Sequence, residues 1–214
     1  MKRFKAIIFD MDGVLVDSEP LHERAFREVF AEMGYGENHG VDFAAYYGRS
    51  DLELWLDFVA KHRPNQPLEE LVEWKHSRLV KILREKQPIF PGVPELLEKC
   101  VARYRLSVAS GSAHRVINEV LAMQNLRRFF LAVVSAEDVA VGKPAPDIFL
   151  RSAELLGVEA RECCVIEDSF AGVEGALAAG MSVIAITNSL PAEKLARATS
   201  IVRGYSEIER LLLE

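Results

Sequence analysis

The chain has 214 residues, 50% of them apolar and 27% charged, with a net charge of −6, the balance of a globular protein that buries a full core, in one domain carrying a sizeable insertion or in two small ones. That charge argues against nucleic acid or an anionic membrane surface as a partner and leaves open a small anion held by a local field. No stretch approaches the roughly 20 apolar residues of a membrane-spanning helix, and the first residues carry no cleavage signal, so a cytoplasmic protein is expected.

In chain order, the apolar run Ala6-Ile7-Ile8-Phe9 predicts a strand that delivers Asp10 and Asp12 at its end, with Gly13 allowing a sharp turn. Two acids two residues apart on a strand share a face, and their like charges raise a pKa unless a cation or proton lies between them. Ser18-Glu19-Pro20 reads as a helix start. Leu21, Ala25 and Val29, flanked by Phe26, Phe30 and Met33, give its apolar face, and Gly34 ends it. Helical spacing returns over 52–60 and 68–83, separated by Pro64 and Pro67. No strand is expected between 17 and 88, so this block reads as an all-helical insertion, with Trp55 and Trp74 in its core and His39, His62 and His76 on its surface.

From Phe90 the texture alternates. Helices are expected over 94–103, 113–123, 146–156, 170–179 and 205–213, and strands over 105–110, 132–135, 163–168, 181–187 and 199–202. Such alternation implies parallel crossovers and a sheet covered on both faces. Cys100, Cys163 and Cys164 are odd in number and lack metal-ligand spacing, which makes them buried reduced thiols.

The apolar strands end in a restricted set of polar residues: Asp10 and Asp12, then Ser110-Gly111-Ser112, then Glu167-Asp168-Ser169, with Lys143-Pro144 in a loop before a helix. In an open parallel sheet these carboxyl ends share one edge, where ligands bind. Four carboxylates there, without His or Cys, form a hard oxygen site suited to Mg²⁺. Ser110 and Lys143 add a hydroxyl and an ammonium for anionic oxygens. The combination describes phosphoryl transfer. Taken singly, each element also reads as a cap or a solvated turn.

These motifs resemble those of the haloacid dehalogenase superfamily, in its branch with a helical cap. The likeness runs through residues 10–20, Ser110, Lys143 within 142–147, and Glu167-Asp168-Ser169 with Gly172. It implies an α/β fold: a Rossmann-like parallel-sheet core (1–16 and 91–214) with helices on both faces, and an inserted all-helical cap (17–90). It further implies Asp10 as nucleophile, Asp12 as acid and base, and Mg²⁺ held by Asp10, the Asp12 carbonyl and Asp168, with Glu167 nearby. Ser110, Gly111 and Lys143 would bind the phosphoryl group of a small phosphorylated substrate. An acid at position 12 points within the family to a phosphatase or phosphomutase.

β-Phosphoglucomutases carry an arginine three residues after the cap glycine matched to Gly48, and a lysine after the second serine of the second motif. Here those positions are Asp51 and Ala113, and an acid repels a second phosphate. His22 sits where mutases keep a histidine, Lys75 lies near a mutase cap lysine, and Arg49, Ser112, His114 and Arg115 are further substrate-side candidates. The resemblance therefore implies a phosphatase of a small metabolite such as a sugar phosphate, with a mutase as the alternative. A catalytically silent binding protein is a third reading, which this chain disfavours because it keeps every motif residue. Oligomeric state is not legible.

Overall fold

The computed structural model describes residues 4–46 and 50–214. Six parallel strands form one sheet of order β3-β2-β1-β4-β5-β6. They are β1 (Ala6–Phe9), β2 (Arg105–Ser110), β3 (Ala132–Ser135), β4 (Cys163–Glu167), β5 (Ser182–Ile186) and β6 (Ser200–Val202). The order reverses at β1, which pairs with β2 (Phe9 opposite Val108) and with β4 (Phe9 opposite Ile166), and this reversal opens a crevice at the carboxyl edge.

The helices are α1 (Glu19–Glu32), α2 (Asp51–His62), α3 (Leu68–Lys86), α4 (Val93–Val101), α5 (His114–Ala122), α6 (Asp147–Leu156), α7 (Phe170–Ala178) and α8 (Tyr205–Leu213). On one sheet face Ile7, Phe9, Val108 and Ile166 pack with residues of α4, α5 and α8. On the other, Ala6, Ile8, Val165 and Val183 pack with Phe149 of α6 and Val173 of α7. Both faces are covered, which is why the strands read as continuous apolar runs rather than alternating ones. The expected elements match within one to three residues, the largest difference being α3, which runs three residues past the expected end at 83. The exception is the end of α5, where the chain enters a 3-10 segment (Met123–Phe129) with Gln124 and Asn125 at positive φ.

A separate aromatic cluster joins α1, α2 and α3 through Phe26, Phe30, Phe43, Trp55, Phe58 and Leu71. Trp55 is fully buried and Trp74 packs at the cluster's margin, as expected. His39 corrects the sequence reading: it is buried, stacked 5.2 Å from the Phe30 ring, with Nδ1 accepting the Val41 N–H at 3.0 Å. A histidine whose nitrogen finds a backbone partner packs like any other ring. His62 and His76 are half-buried, His62 Nε2 lying 2.8 Å from the His39 carbonyl. The second half of α3 departs from this cluster, and Leu79, Ile82 and Leu83 join the sheet's core.

Two chain crossings link the cluster to the sheet. Asp17 N donates to the Pro88 carbonyl at 2.9 Å, and Phe90 N to the Leu15 carbonyl at 3.1 Å. All three cysteines are free and buried, and burial pushes the Cys100 and Cys164 thiols up to about 12, which makes them unreactive. No described helix is long and apolar enough to cross a membrane.

Candidate active site

The site begins where β1 ends. The Met11 carbonyl accepts the N–H groups of Val14, Leu15 and Val16 at 3.2, 2.8 and 3.2 Å, so the chain coils tightly after Asp10 and brings Asp12 back over the strand end. Gly13 sits at φ 74°, and a Cβ there would lie 1.8 Å from Asp168 Oδ2. Glycine is required twice over, by backbone conformation and by close approach to the end of β4.

Asp10, Glu167 and Asp168 are buried and offer carboxylate oxygens within 4.8 Å of one another. Lys143 lies between two of them, donating to Asp10 and, at 2.6 Å, to Glu167 Oε1. Glu167 Oε2 accepts from Asp168 N, Ser169 N and Ser169 Oγ, each at 2.9 Å. A Cβ at Gly172, inside α7, would meet Glu167 Oε1 at 1.7 Å, so this glycine makes room for the carboxylate. Burial, together with repulsion from Glu167, holds Asp10 well above the usual carboxylate range, although Lys143 opposes the shift. Burial and the charges of Glu167 and Asp10 raise Asp168 likewise. Three buried carboxylates around one ammonium carry surplus negative charge, and an all-oxygen donor set of this kind fits a hard divalent cation such as Mg²⁺.

Asp12 goes the other way. Burial alone would raise its pKa, but donors surround the carboxylate and bring it down to about 2. Ser18 Oγ donates to Oδ1. Ser112 Oγ donates to Oδ2 at 2.9 Å, Ser110 Oγ lies 3.3 Å from Oδ2, and His22 Nε2 stands 3.4 Å from Oδ1. Ser135 at the end of β3 fixes the Ser112 carbonyl at 2.7 Å, so three strand ends shape this one carboxylate's surroundings.

Behind His22 lies a polar cluster on α1, α2 and α3. Lys75, whose side chain is fully buried, pairs with Asp51 and approaches His22 Nδ1 to 2.9 Å. Asp51 Oδ1 stands 3.4 Å from His22 Nδ1, and His76 Nε2 is 3.4 Å from Asp51 Oδ2. Burial opposes the charge on Asp51, but Lys75 and His22 hold its pKa well below the usual range. Burial and the Lys75 ammonium oppose the imidazolium of His22, yet Asp51 and Asp12 outweigh them and push it up to about 9. The close pair of donors, Lys75 and His22, is held together by the Asp51 carboxylate facing both.

The structure thus brings together Asp10, Asp12, Ser110, Ser112, Lys143, Glu167 and Asp168, with His22 and Lys75 adjoining. A cleft opens over Asp10, Asp12, Gly111, Ser112 and Lys143, and Phe26, Phe43, Tyr46, Leu54, Glu23 and Asp51 also line it. His114 does not line this cleft: its ring pairs with Asp138 at 2.9 Å, at the start of α5. Arg115 pairs with Glu73. Gly48 and Arg49 lie outside the described residues.

Sequence reasoning gave Ser18 no side-chain role and missed Asn188 and Ser189. The sequence places Ser18 at a helix start, but its hydroxyl caps nothing and serves Asp12 instead. Asn188 and Ser189 follow β5 on the same edge as the other motifs, so the strand-end rule applied to them as well.

A family model described as haloacid dehalogenase-like hydrolase matches residues 4–180. The chain is 35% identical over 189 residues to hexitol phosphatase B of Escherichia coli K12, covering 86% of this chain and 84% of that protein. Among solved structures it is similar to CbbY from Rhodobacter sphaeroides in complex with xylulose 1,5-bisphosphate. That likeness has a TM-score of 0.85 and 25% identity, over 95% of this chain and 96% of that one. It is also similar to β-phosphoglucomutase from Clostridium difficile, with a TM-score of 0.82 and 25% identity, over 96% and 93% of the two chains. With its ordered carboxylates, serines and lysine on one sheet edge, and with more than two thirds of its length matched, the chain belongs to the haloacid dehalogenase-like hydrolases.

Proposed function

We propose that the protein is a Mg²⁺-dependent phosphatase that releases phosphate from a small phosphorylated metabolite, a sugar or polyol phosphate, through an aspartyl-phosphate on Asp10. The observation that carries this reading is the meeting of Asp10, Asp12, Lys143, Glu167 and Asp168 at one edge beneath a cleft. The phosphatase name of the 35%-identical relative supports it. Residues 17–90 act as a cap on a core of 1–16 and 91–214, with the crossings at Asp17/Pro88 and Leu15/Phe90 between them.

Asp10 attacks phosphorus, forming the P–O bond to its carboxylate as the ester P–O bond breaks. Asp12 protonates the leaving oxygen and afterwards takes the proton of the water that cleaves the aspartyl-phosphate. At rest Asp12 is in its base form, and an anionic phosphoryl group entering beside it raises its pKa, the direction that loads it with a proton. Lys143 and the Ser110-Gly111-Ser112 turn face the phosphoryl oxygens and offset their charge. Asp10, Asp168 and the Asp12 carbonyl would hold the metal, with Glu167 behind them. When bound it neutralises negative charge between nucleophile and phosphate.

The test is phosphate release from a panel of sugar, polyol and nucleoside monophosphates with Mg²⁺, and its loss in EDTA. Asp10→Asn is expected to lower turnover by at least about a thousandfold. Release by that variant at the wild-type rate, or no release from any ester by the wild type, overturns the reading.

A phosphomutase is the second reading, favoured by His22 standing 3.4 Å from Asp12 and 2.9 Å from Lys75. Against it, the Lys75 ammonium is already committed to Asp51, and an acid at position 51 disfavours a second phosphate. Formation of glucose 6-phosphate from β-glucose 1-phosphate, primed by a bisphosphate and without phosphate loss, would establish it.

A further inference from the structure

We propose that the Asn188-Ser189 turn after β5 is a positioning element for the metal site, with Ser189 orienting the carboxylate of Asp168. This rests on the magnesium reading above. Ser189 Oγ donates to Asp168 Oδ2. One residue earlier, Asn188 Nδ2 donates to the Gly13 carbonyl at 2.8 Å and reaches Tyr205 Oη at 3.1 Å, while the Tyr205 hydroxyl donates to the Val14 carbonyl at 2.8 Å. Two adjacent residues therefore grip both halves of the site: the turn that carries Asp12 and the β4 end that carries Asp168.

The packing is close. A Cβ on Gly13 would lie 1.8 Å from Asp168 Oδ2 and 2.7 Å from Ser189 Oγ, so these groups sit against the glycine with no space between. Asp168 is buried, and a buried carboxylate that must meet a cation needs its remaining oxygen held by a donor if it is not to rotate away. Ser189 supplies that donor. Its hydrogen bond occupies Oδ2 and leaves Oδ1 for the cation. The residue acts through Asp168 and is not among the residues that line the cleft.

Calorimetric titration of the whole chain with MgCl₂ tests this directly. Ser189→Ala is expected to weaken the Mg²⁺ dissociation constant about tenfold, within the range found for residues that orient metal ligands. Ser189→Thr, which keeps the hydroxyl, is expected to restore most of it. Melting temperature in EDTA should be the same for all three proteins. In phosphate-release assays the Mg²⁺ concentration for half-maximal rate should rise while kcat at saturating Mg²⁺ changes little. A Ser189→Ala protein that binds Mg²⁺ as tightly as wild type overturns the proposal and leaves the metal reading intact. A wild type that does not bind Mg²⁺ overturns both. Weakened affinity accompanied by a lower melting temperature in EDTA, unrelieved by Thr, assigns the serine to loop structure and also overturns the proposal.

Discussion

Asp10 and Asp12 are two residues apart and are driven in opposite directions, Asp10 well above the carboxylate range and Asp12 down to about 2. The sequence predicts that their proximity raises a pKa. Burial is the larger cause on Asp10, and hydroxyl and imidazole donors reverse the outcome on Asp12. His22 extends the pattern to the insertion. Its pKa rises from 6.5 in the unfolded chain to about 9 in the fold, so its charge stabilises the protein fully below pH 6.5, and the contribution fades as pH climbs through 9. A shift of that size corresponds to at most about 3 kcal/mol. In urea unfolding, the gap between wild type and His22→Gln should therefore be widest near pH 6 and narrow above pH 9. A gap that stays constant over that range removes the assigned charge from His22.

At the scale of elements, three helices are tied by one buried ion pair. Lys75 on α3 reaches Asp51 at the start of α2, beside His22 on α1, and its ammonium also lies 4.8 Å from the Phe26 ring centre. A buried pair of this kind costs more to break than to replace. Lys75→Met alone is expected to destabilise by about 3–5 kcal/mol because it strands the Asp51 charge. Asp51→Asn with Lys75→Met should recover most of that loss. Equal destabilisation by the single and double variants in chemical unfolding would show that the pair is not coupled. The helices themselves were legible from apolar spacing at Leu21, Ala25 and Val29, because that spacing follows from helix geometry alone. The pairing of Lys75 with Asp51 was not, because it depends on how the helices face one another.

For the whole molecule, closure would have to strain several described links between the insertion and the sheet, among them the two crossings, the α3–α5 contact and the approach of Ser18 and His22 to Asp12. Arg84 meets Glu119 at 2.8 Å and Arg115 pairs with Glu73, both at the surface and individually weak. Binding of Mg²⁺ with a phosphate-transition-state mimic is expected to slow amide exchange at 15–18 and 88–92 and to reduce the radius of gyration in solution scattering. No change in either observable would argue for a fixed cleft. The buried half of α3 limits how far such closure can go, since Leu79, Ile82 and Leu83 share the sheet's core. The boundary at 90 drawn from sequence falls in the loop between α3 and α4, whereas the packing of α3 is shared between the aromatic cluster and the sheet's core.

By itself the sequence determined the alternation of strands and helices, the parallel sheet, and the strand ends that carry Asp10, Ser110, Glu167 and Asp168. Each of these follows from local periodicity and from the rule that parallel strands share one carboxyl edge. Only the tertiary structure decided that Lys143 lies between Asp10 and Glu167, that Ser18 and Ser112 hold Asp12, that His39 is core, and that His114 turns away from the cleft toward Asp138. It also decided that Ser189 reaches Asp168. These outcomes depend on contacts between residues far apart in the chain, and on which face of each element is buried. Neither quantity is written in a periodicity of two or of 3.6.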